Sequence, residues 1–345
     1  MSLVYAKIKQ KLETLHLLQN LKMKNYFSVP IAFAIAQMVA SAAYGSQVKI
    51  TPLGSHDGEF CRFDRALILE DPNGTRLVYD VGRTVASGED ERLGDIDAVL
   101  LSHVHGDHLG DRRITEVNAG ECSEPEANEA ATPSSNTVDI AVAKEAMIVV
   151  GSEMNSFLAN KVEANGGNSE SVQLVRFGAS IDVGGVKITT VPAVHSNGLS
   201  GEFIEGELGE NLKAAGLTAY VGPPTGYVLT FTNGLVVYLS GDTGVTAEQE
   251  TVVSNQYNAQ LAVINIGDTY TTGPTEAAYV INELIEPTSA IASHANEAAT
   301  EEGKVIPGTK TDEFIKATNV PVYVPLSGQA MEFDGSGQCV TGCQN

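Results

Sequence analysis

Three histidines and an aspartate crowd into Ser102-His103-Val104-His105-Gly106-Asp107-His108, in a chain that has only seven histidines among 345 residues. Imidazole and carboxylate groups gathered this closely can hold divalent cations. His103 and His105, two apart in extended chain, project to the same side. A turn at Gly106 swings Asp107 and His108 round to a second point nearby. That spacing suits two metal ions rather than one. Mixed nitrogen and oxygen donors favour zinc, with manganese or iron(II) as alternatives.

Three further candidates each follow an apolar run. His195 comes after Val191-Pro192-Ala193-Val194, Asp242 after Tyr238-Leu239-Ser240-Gly241, and His294 after Ile291-Ala292-Ser293. If the runs are strands, their ends converge at one sheet edge and bring the seven residues together. From Val48 onward the chain does read as short apolar strands broken by turn chemistry. Residues 66–69 and 77–79 flank Asp71-Pro72-Asn73-Gly74, where Pro presets φ and Gly accepts a positive one, so a hairpin is expected. Further strands are expected at 98–101, 147–150, 172–177, 186–191, 227–231, 235–239, 261–266 and 290–292, with Asn233-Gly234 marking a second hairpin. Helical patterns cover 275–285, stopped by Pro287, and 312–317, stopped before Pro321. Hairpins mixed with strand-helix-strand units imply an α/β architecture of two packed sheets with helices outside. Residues 119–137, rich in Glu, Ser, Asn, Thr and Pro, and 196–224, rich in Gly, fit no regular element. Both read as rims or lids of a cleft.

The run H-x-H-x-D-H, with the later His, Asp and His, resembles the metallo-β-lactamase fold superfamily. It is most similar to the branch that contains ascorbate-6-phosphate lactonase and small metal-dependent hydrolases. Gly241-Asp242-Thr243-Gly244, Ile266-Gly267-Asp268-Thr269-Tyr270-Thr271-Thr272-Gly273-Pro274 and Ser293-His294-Ala295-Asn296 support that branch, and the likeness spans about residues 48–328. The resemblance implies an αββα sandwich, two mixed β-sheets with helices on the outer faces and the metals at one sheet edge. It also implies that His103, His105 and His195 hold a first metal, that Asp107, His108 and His294 hold a second, and that Asp242 bridges both. Asp80, ending Leu77-Val78-Tyr79, matches the family's aspartate behind the metal loop. There are departures. Leu53-Gly54-Ser55-His56-Asp57-Gly58-Glu59-Phe60-Cys61 stands where the branch begins with a short Gly-His motif, so His56 is expected near the site, behind the ligands. The acidic insertion at about 119–137 and Cys339-x-x-x-Cys343 are additions.

Two divalent ions roughly 3.5–4 Å apart can share a water whose pKa falls from 15.7 towards about 7. The expected activity is hydrolysis of an ester or lactone bond of a small molecule by that metal-bridged hydroxide, with Asp107 or Asp242 orienting it and taking its proton. Tyr220, Tyr227 and Tyr270 are candidate donors to a developing oxyanion, Tyr270 foremost because it follows a strand expected to end at the same edge. No Gly-x-Ser-x-Gly elbow offers a serine nucleophile. A phosphodiesterase on the same binuclear site is the first alternative. Arg83, Arg112 and Arg113, close in sequence to Asp80 and the metal loop, could meet a carboxylate or phosphate, or form surface ion pairs. A mononuclear iron thiol or persulfide oxygenase and a β-lactam hydrolase complete the enzymatic readings. A non-catalytic binder has no need of an open, bridged pair of metals.

Composition bounds the partners. The content of 21 Lys+Arg against 43 Asp+Glu, net −22, speaks against nucleic acid, whose affinity comes largely through Lys and Arg. With 43% hydrophobic residues the chain can build a globular core. Residues 1–42 read differently. Met23-Lys24-Asn25, a candidate true start, opens a basic stretch, residues 27–40 are mostly apolar and uncharged, and Ala40-Ser41-Ala42 has the small-x-small form of a signal-peptidase site. The apolar run is shorter than the roughly 20 residues a membrane span needs. The expectation is a leader with a secretory signal over 1–42 and one hydrolase domain over 43–345, periplasmic or secreted and free of the membrane. Removing Lys7, Lys9, Lys11, Lys22, Lys24 and Glu13 leaves 16 basic and 42 acidic residues, net −26. That charge suits neutral or hydrophobic esters and lactones. Cys61, Cys122, Cys339 and Cys343 all lie past the leader, and an even count in an oxidising compartment favours disulfides, with three pairings open.

Overall fold

The computed structural model describes residues 47–344, so the leader and its signal lie outside the described residues. Fifteen strands build two sheets. In chain order they are β1 (Val48–Pro52), β2 (Leu67–Glu70), β3 (Arg76–Tyr79), β4 (Ala98–Leu101), β5 (Met147–Val150), β6 (Val172–Leu174), β7 (Ser180–Val183), β8 (Val186–Pro192), β9 (Thr225–Thr230), β10 (Val236–Leu239), β11 (Leu261–Asn265), β12 (Ser289–Ser293), β13 (Val322–Tyr323), β14 (Met331–Phe333) and β15 (Cys339–Thr341). The first sheet runs β6-β5-β4-β3-β2-β1-β14-β15 and the second β7-β8-β9-β10-β11-β12-β13.

Period-two alternation decides which face each side chain takes. In β4, Ala98 and Leu100 enter the space between the sheets, while Val99 and Leu101 face outward. In β9, Tyr227 and Leu229 point inward and Val228 points outward. Both faces are apolar because both are covered. Helices Asn136–Ala143 and Asn155–Ala164 bury Ile140 and Leu158 on the outer face of the first sheet. On the second sheet, Pro274–Tyr279 continues as a π-helical Val280–Ile285 and packs beside Lys310–Ala317, burying Ala277, Ile281 and Phe314. Helices outside two mixed sheets make the expected αββα sandwich. The hairpin β2–β3 pairs Leu69 with Leu77 across the Asp71-Pro72-Asn73-Gly74 turn, and β9–β10 pairs Thr230 with Val236 across Asn233-Gly234.

Strand directions send the functional loops to one edge. β3 and β4 are parallel, as are β10, β11 and β12. β8 and β10 are both antiparallel to β9 and therefore parallel to each other. The C-terminal ends of these strands lead directly into Asp80, His103, His195, Asp242 and His294.

The two stretches without expected structure are corrected. Residues 196–224 contain the helix Glu207–Ala215 and a short ribbon, Gly198–Leu199 with Ala219–Tyr220. The acidic stretch folds into two small ribbons, Gly120–Glu121 with Glu124–Pro125 and Arg112–Arg113 with Glu129–Ala130, before the helix at Asn136 begins. Cys61 is bonded to Cys122 and Cys339 to Cys343, which settles the pairing. Among the described residues no helix is long and apolar enough to cross a membrane.

Candidate metal centre

The loop after β4 turns at once into a single helical turn, Gly106–Leu109, ended by Gly110 in a left-handed conformation. This places His103 before the turn, His105 at its start and Asp107 and His108 within it. The later strands contribute His195, Asp242 and His294, and all seven residues meet. His103, His105 and His195 form one group, Asp107, His108 and His294 another, and Asp242 joins His103 and His108 in a third, the donor atoms of each group lying within 4.8 Å of one another. One oxygen is central. Asp242 Oδ2 lies 3.2 Å from His294 Nε2, 3.4 Å from His108 Nε2, 3.7 Å from His195 Nε2 and 3.8 Å from His103 Nε2.

The imidazoles are aimed from behind. Asp80 Oδ2 is 2.8 Å from His108 Nδ1, and its two oxygens also accept from Ser102 N and Oγ at 2.8 and 2.7 Å. Ser102 Oγ in turn lies 3.0 Å from His103 Nδ1. The Nε2 atoms of both histidines are left facing the centre. His103 Nε2, His108 Nε2, both ring nitrogens of His294 and Asp242 Oδ1 are buried without a hydrogen-bond partner. Buried polar atoms are almost always satisfied. Five imidazoles and two carboxylates gathered here, three of the imidazoles and one of the carboxylates with buried atoms left unpartnered, therefore fit divalent cations. The Gly267 loop packs so tightly over this region that a Cβ there would lie 2.1 Å from the His294 carbonyl oxygen.

Residues 81–295, well over half of the chain, match the Beta-lactamase superfamily domain. The chain belongs to the beta-lactamase superfamily. A UPF0173 metal-dependent hydrolase of Cupriavidus metallidurans is 31% identical over 250 residues, covering 70% of this chain and 71% of that protein. Another, from Methanopyrus kandleri, is 33% identical over 202 residues, covering 58% and 66%. Among solved structures, Igni18, a metallo hydrolase from Ignicoccus hospitalis, shares the fold with a TM-score of 0.54 at 19% identity, over 84% of this chain and 99% of that one. The protein is thus a metal-dependent hydrolase of this superfamily.

Electrostatics follow from crowding. Burial would push His108 down, but the carboxylates of Asp242, Asp107 and Asp80 outweigh it and lift its imidazole to about 10. Burial and the neighbouring His108 hold His103 well below the usual imidazole range, and burial with His195 brings His105 down to about 4. Burial opposes ionisation of Asp242, yet His294 and His108 keep it well below the usual carboxylate range. His108 in the metal-free protein is therefore protonated at pH 8 and must lose its proton to become a ligand. Zinc titrated calorimetrically at pH 8 in buffers of different ionisation enthalpy is expected to release at least about one proton per chain. The sign is fixed: affinity rises with pH until His108 titrates near 10. Heats independent of the buffer would show His108 to be neutral already.

Asp80 acts through His108, so Asp80→Asn is expected to weaken metal binding by roughly 10–100-fold with little change in fold. Competition with a chromogenic chelator would measure it, and unchanged affinity would remove Asp80 from this role.

Tyr270 is exposed at the lip of the cavity over the centre, a space of about 510 Å³ that also takes in His105, Asp107, His195 and Asp242. Tyr227 is not available to substrate. Its buried hydroxyl donates to the carbonyls of Leu101 and Val149 at 2.7 and 2.9 Å. Tyr220 is exposed but lies outside the lining. His56 is likewise corrected, because its ring bonds Ser55 Oγ and the Gly120 carbonyl and braces the acidic ribbon. Among the described residues Arg112 reaches only Asp111, at 3.8 Å, and the half-buried Arg113 is paired with Glu129 and Asp139. Arg83 grips Asp111 with Nε and Nη2 and also lines the cavity.

Three neighbours had no signal of their own in the sequence. Buried Arg65 donates through Nη2 to Asp107 Oδ2 at 3.1 Å and Asn296 Oδ1 at 2.6 Å, and so holds Asp107 against the centre. Lys310 Nζ donates to the carbonyls of Gly267, Ala295 and Asp268 at 2.8, 3.1 and 3.2 Å, clasping the loops after β11 and β12. Ser196 Oγ is 3.3 Å from His105 Nε2.

Proposed function

We propose that the protein is an exported hydrolase that cleaves an ester or lactone bond of a small molecule at a binuclear centre, most simply of zinc. The observation that carries this reading is the single Asp242 oxygen ringed by four imidazole Nε2 atoms at the floor of an open cavity. His103, His105 and His195 would hold one ion, Asp107, His108 and His294 the other, and Asp242 both. Bound there, divalent ions supply Lewis-acid polarisation and water of lowered pKa.

The chain's own residues supply the rest. Asp107 is partly exposed to the cavity, and despite burial that opposes ionisation, His108, His294 and Arg65 keep it ionised, so it can orient an incoming water and take its proton. Tyr270, at the lip, can donate its hydroxyl to oxygen developing negative charge. The lactonase-like motifs around Asp242, Tyr270 and His294 favour an acyl substrate. Complete pairing of the four cysteines fits an oxidising compartment outside the cytoplasm.

A phosphodiester is the second reading, favoured by Arg62 and Arg83 in the cavity lining. Turnover of a matched aryl ester, lactone and aryl phosphodiester by zinc-loaded protein starting at Ala43, with Asp107→Ala as control, separates the two. Zinc-dependent cleavage of ester or lactone above diester is the expected result. Preference for the diester would overturn it in favour of the second reading.

A further inference from the structure

The whole chain is strongly acidic, yet four cations line its cavity beside Asp107, Asp242 and Asp268. Arg62, Arg65, Arg83 and Lys310 all line the space above the centre. Arg65 spends both Nη atoms on protein acceptors, donating to the Arg62 and Asp64 carbonyls as well as to Asp107 and Asn296. Lys310 is committed to its three carbonyls. Arg62 and Arg83 are different.

The two guanidinium carbons each lie 5.3 Å from the centroid of the Phe63 ring. Arg62 pairs through Nη1 with Glu124. Arg83 uses only Nε and Nη2, on Asp111. A guanidinium carries five N–H donors. Nη1 of Arg83 and both Nε and Nη2 of Arg62 therefore keep donors that no protein acceptor takes among the described residues. The Phe63 ring and the two-point pair with Asp111 fix the Arg83 guanidinium plane in advance, which lowers the ordering cost of binding a ligand, while the more exposed Arg62 keeps more freedom.

Resting on the ester or lactone hydrolase reading, we propose that Arg62, Phe63 and Arg83 form a subsite for an anionic oxygen group, carboxylate or phosphate, carried by the substrate away from the scissile bond. This reverses the expectation drawn from overall charge. At physiological ionic strength exposed charges are screened beyond about 8 Å, so the distant surface acids weigh little against two guanidinium groups in direct contact. Fork-shaped donors match carboxylate and phosphate geometry. The subsite also gives the acidic ribbon a role, since Glu124 aligns Arg62 and the Cys61–Cys122 bond anchors the same segment.

The test uses zinc-loaded protein and two kinds of probe. By calorimetry, benzoate and phenylphosphonate are expected to bind more tightly than benzamide. Arg62→Gln and Arg83→Gln should each weaken the anions by about tenfold while leaving benzamide less affected. The stronger of the two anions identifies the group. Anion binding unchanged in both variants would mean that the anions sit on the metals, and would overturn the proposal, as would no preference over benzamide. Arg62→Gln guards against misfolding, because Arg62 is a surface residue whose ion pair, among the described residues, is with Glu124 alone. In turnover, the ratio of kcat/KM for a carboxylate-bearing aryl ester to that for its neutral isostere is expected to fall by a similar factor in either variant. If no ester or lactone is cleaved at all, the ester or lactone reading fails while the binding result still decides the subsite.

Discussion

Asp242→Asn is expected to lower kcat/KM for the best substrate by at least roughly 10²–10³-fold, the scale seen when one electrostatic stabiliser of a transition state is lost. The reason is geometric. One buried oxygen stands 3.2–3.8 Å from four imidazole nitrogens that come from three different loops. An amide of the same shape keeps the packing but withdraws the negative charge and puts N–H donors where the imidazole lone pairs would bind a cation. The same substitution is expected to reduce the zinc retained per chain after dialysis, because Asp242 is the residue shared between the two groups of ligands. Elemental analysis beside steady-state kinetics measures both effects. Full rate with full metal content would remove Asp242 from the centre, whereas full metal with lost rate would confine it to orienting the reacting groups.

The residues that gather at the centre were legible because the loops carrying them are short and leave strands marked by apolar runs. His103 follows β4 by two residues and His294 follows β12 by one. Once the two sheets form, these side chains have little freedom in where they go. Support for them is another matter. Arg65 reaches Asn296 across 231 residues of sequence, and although Asn296 closes the Ser293-His294-Ala295-Asn296 run, nothing in the sequence links it to Arg65. Lys310 is ordinary at the start of a helix, and only the fold shows three carbonyls waiting at its tip.

The helix Glu207–Ala215 was hidden for a clearer physical reason. Its only buried residue is Gly209, where a Cβ would lie 1.8 Å from the Ile204 carbonyl oxygen, while Leu208 is exposed. Leu208, Leu212 and Ala215 do keep helical spacing, but the run is short and set among glycines, so the Gly-rich composition of 196–224 masked it. The acidic stretch misled in the opposite way. Its composition suggested an irregular rim or lid, but a disulfide, the His56 ring and the Arg62–Glu124 pair hold it to the body of the protein.

That tie leads to the second large effect expected here, on stability. Cys61–Cys122 closes 61 residues of sequence and Cys339–Cys343 only four. In the chain-entropy account of cross-links, the first contributes about 4 kcal/mol by restricting the unfolded chain and the second about 2 kcal/mol. The long bridge also has a local burden. The Cys61 N–H donates to Asp64 Oδ2 at 2.8 Å, buried Asp64 accepts from Ser55 N through Oδ1 at 2.9 Å, and the next residue is the Arg65 that holds Asp107. Replacing both Cys61 and Cys122 by serine is therefore expected to cost about twice the stability lost on replacing Cys339 and Cys343, in urea unfolding at fixed zinc concentration. Only the first pair should also weaken zinc, since only that segment leads to a proposed ligand. Equal losses from the two pairs would mean that loop length does not govern the long bridge, and an unchanged zinc affinity would uncouple the acidic ribbon from the centre.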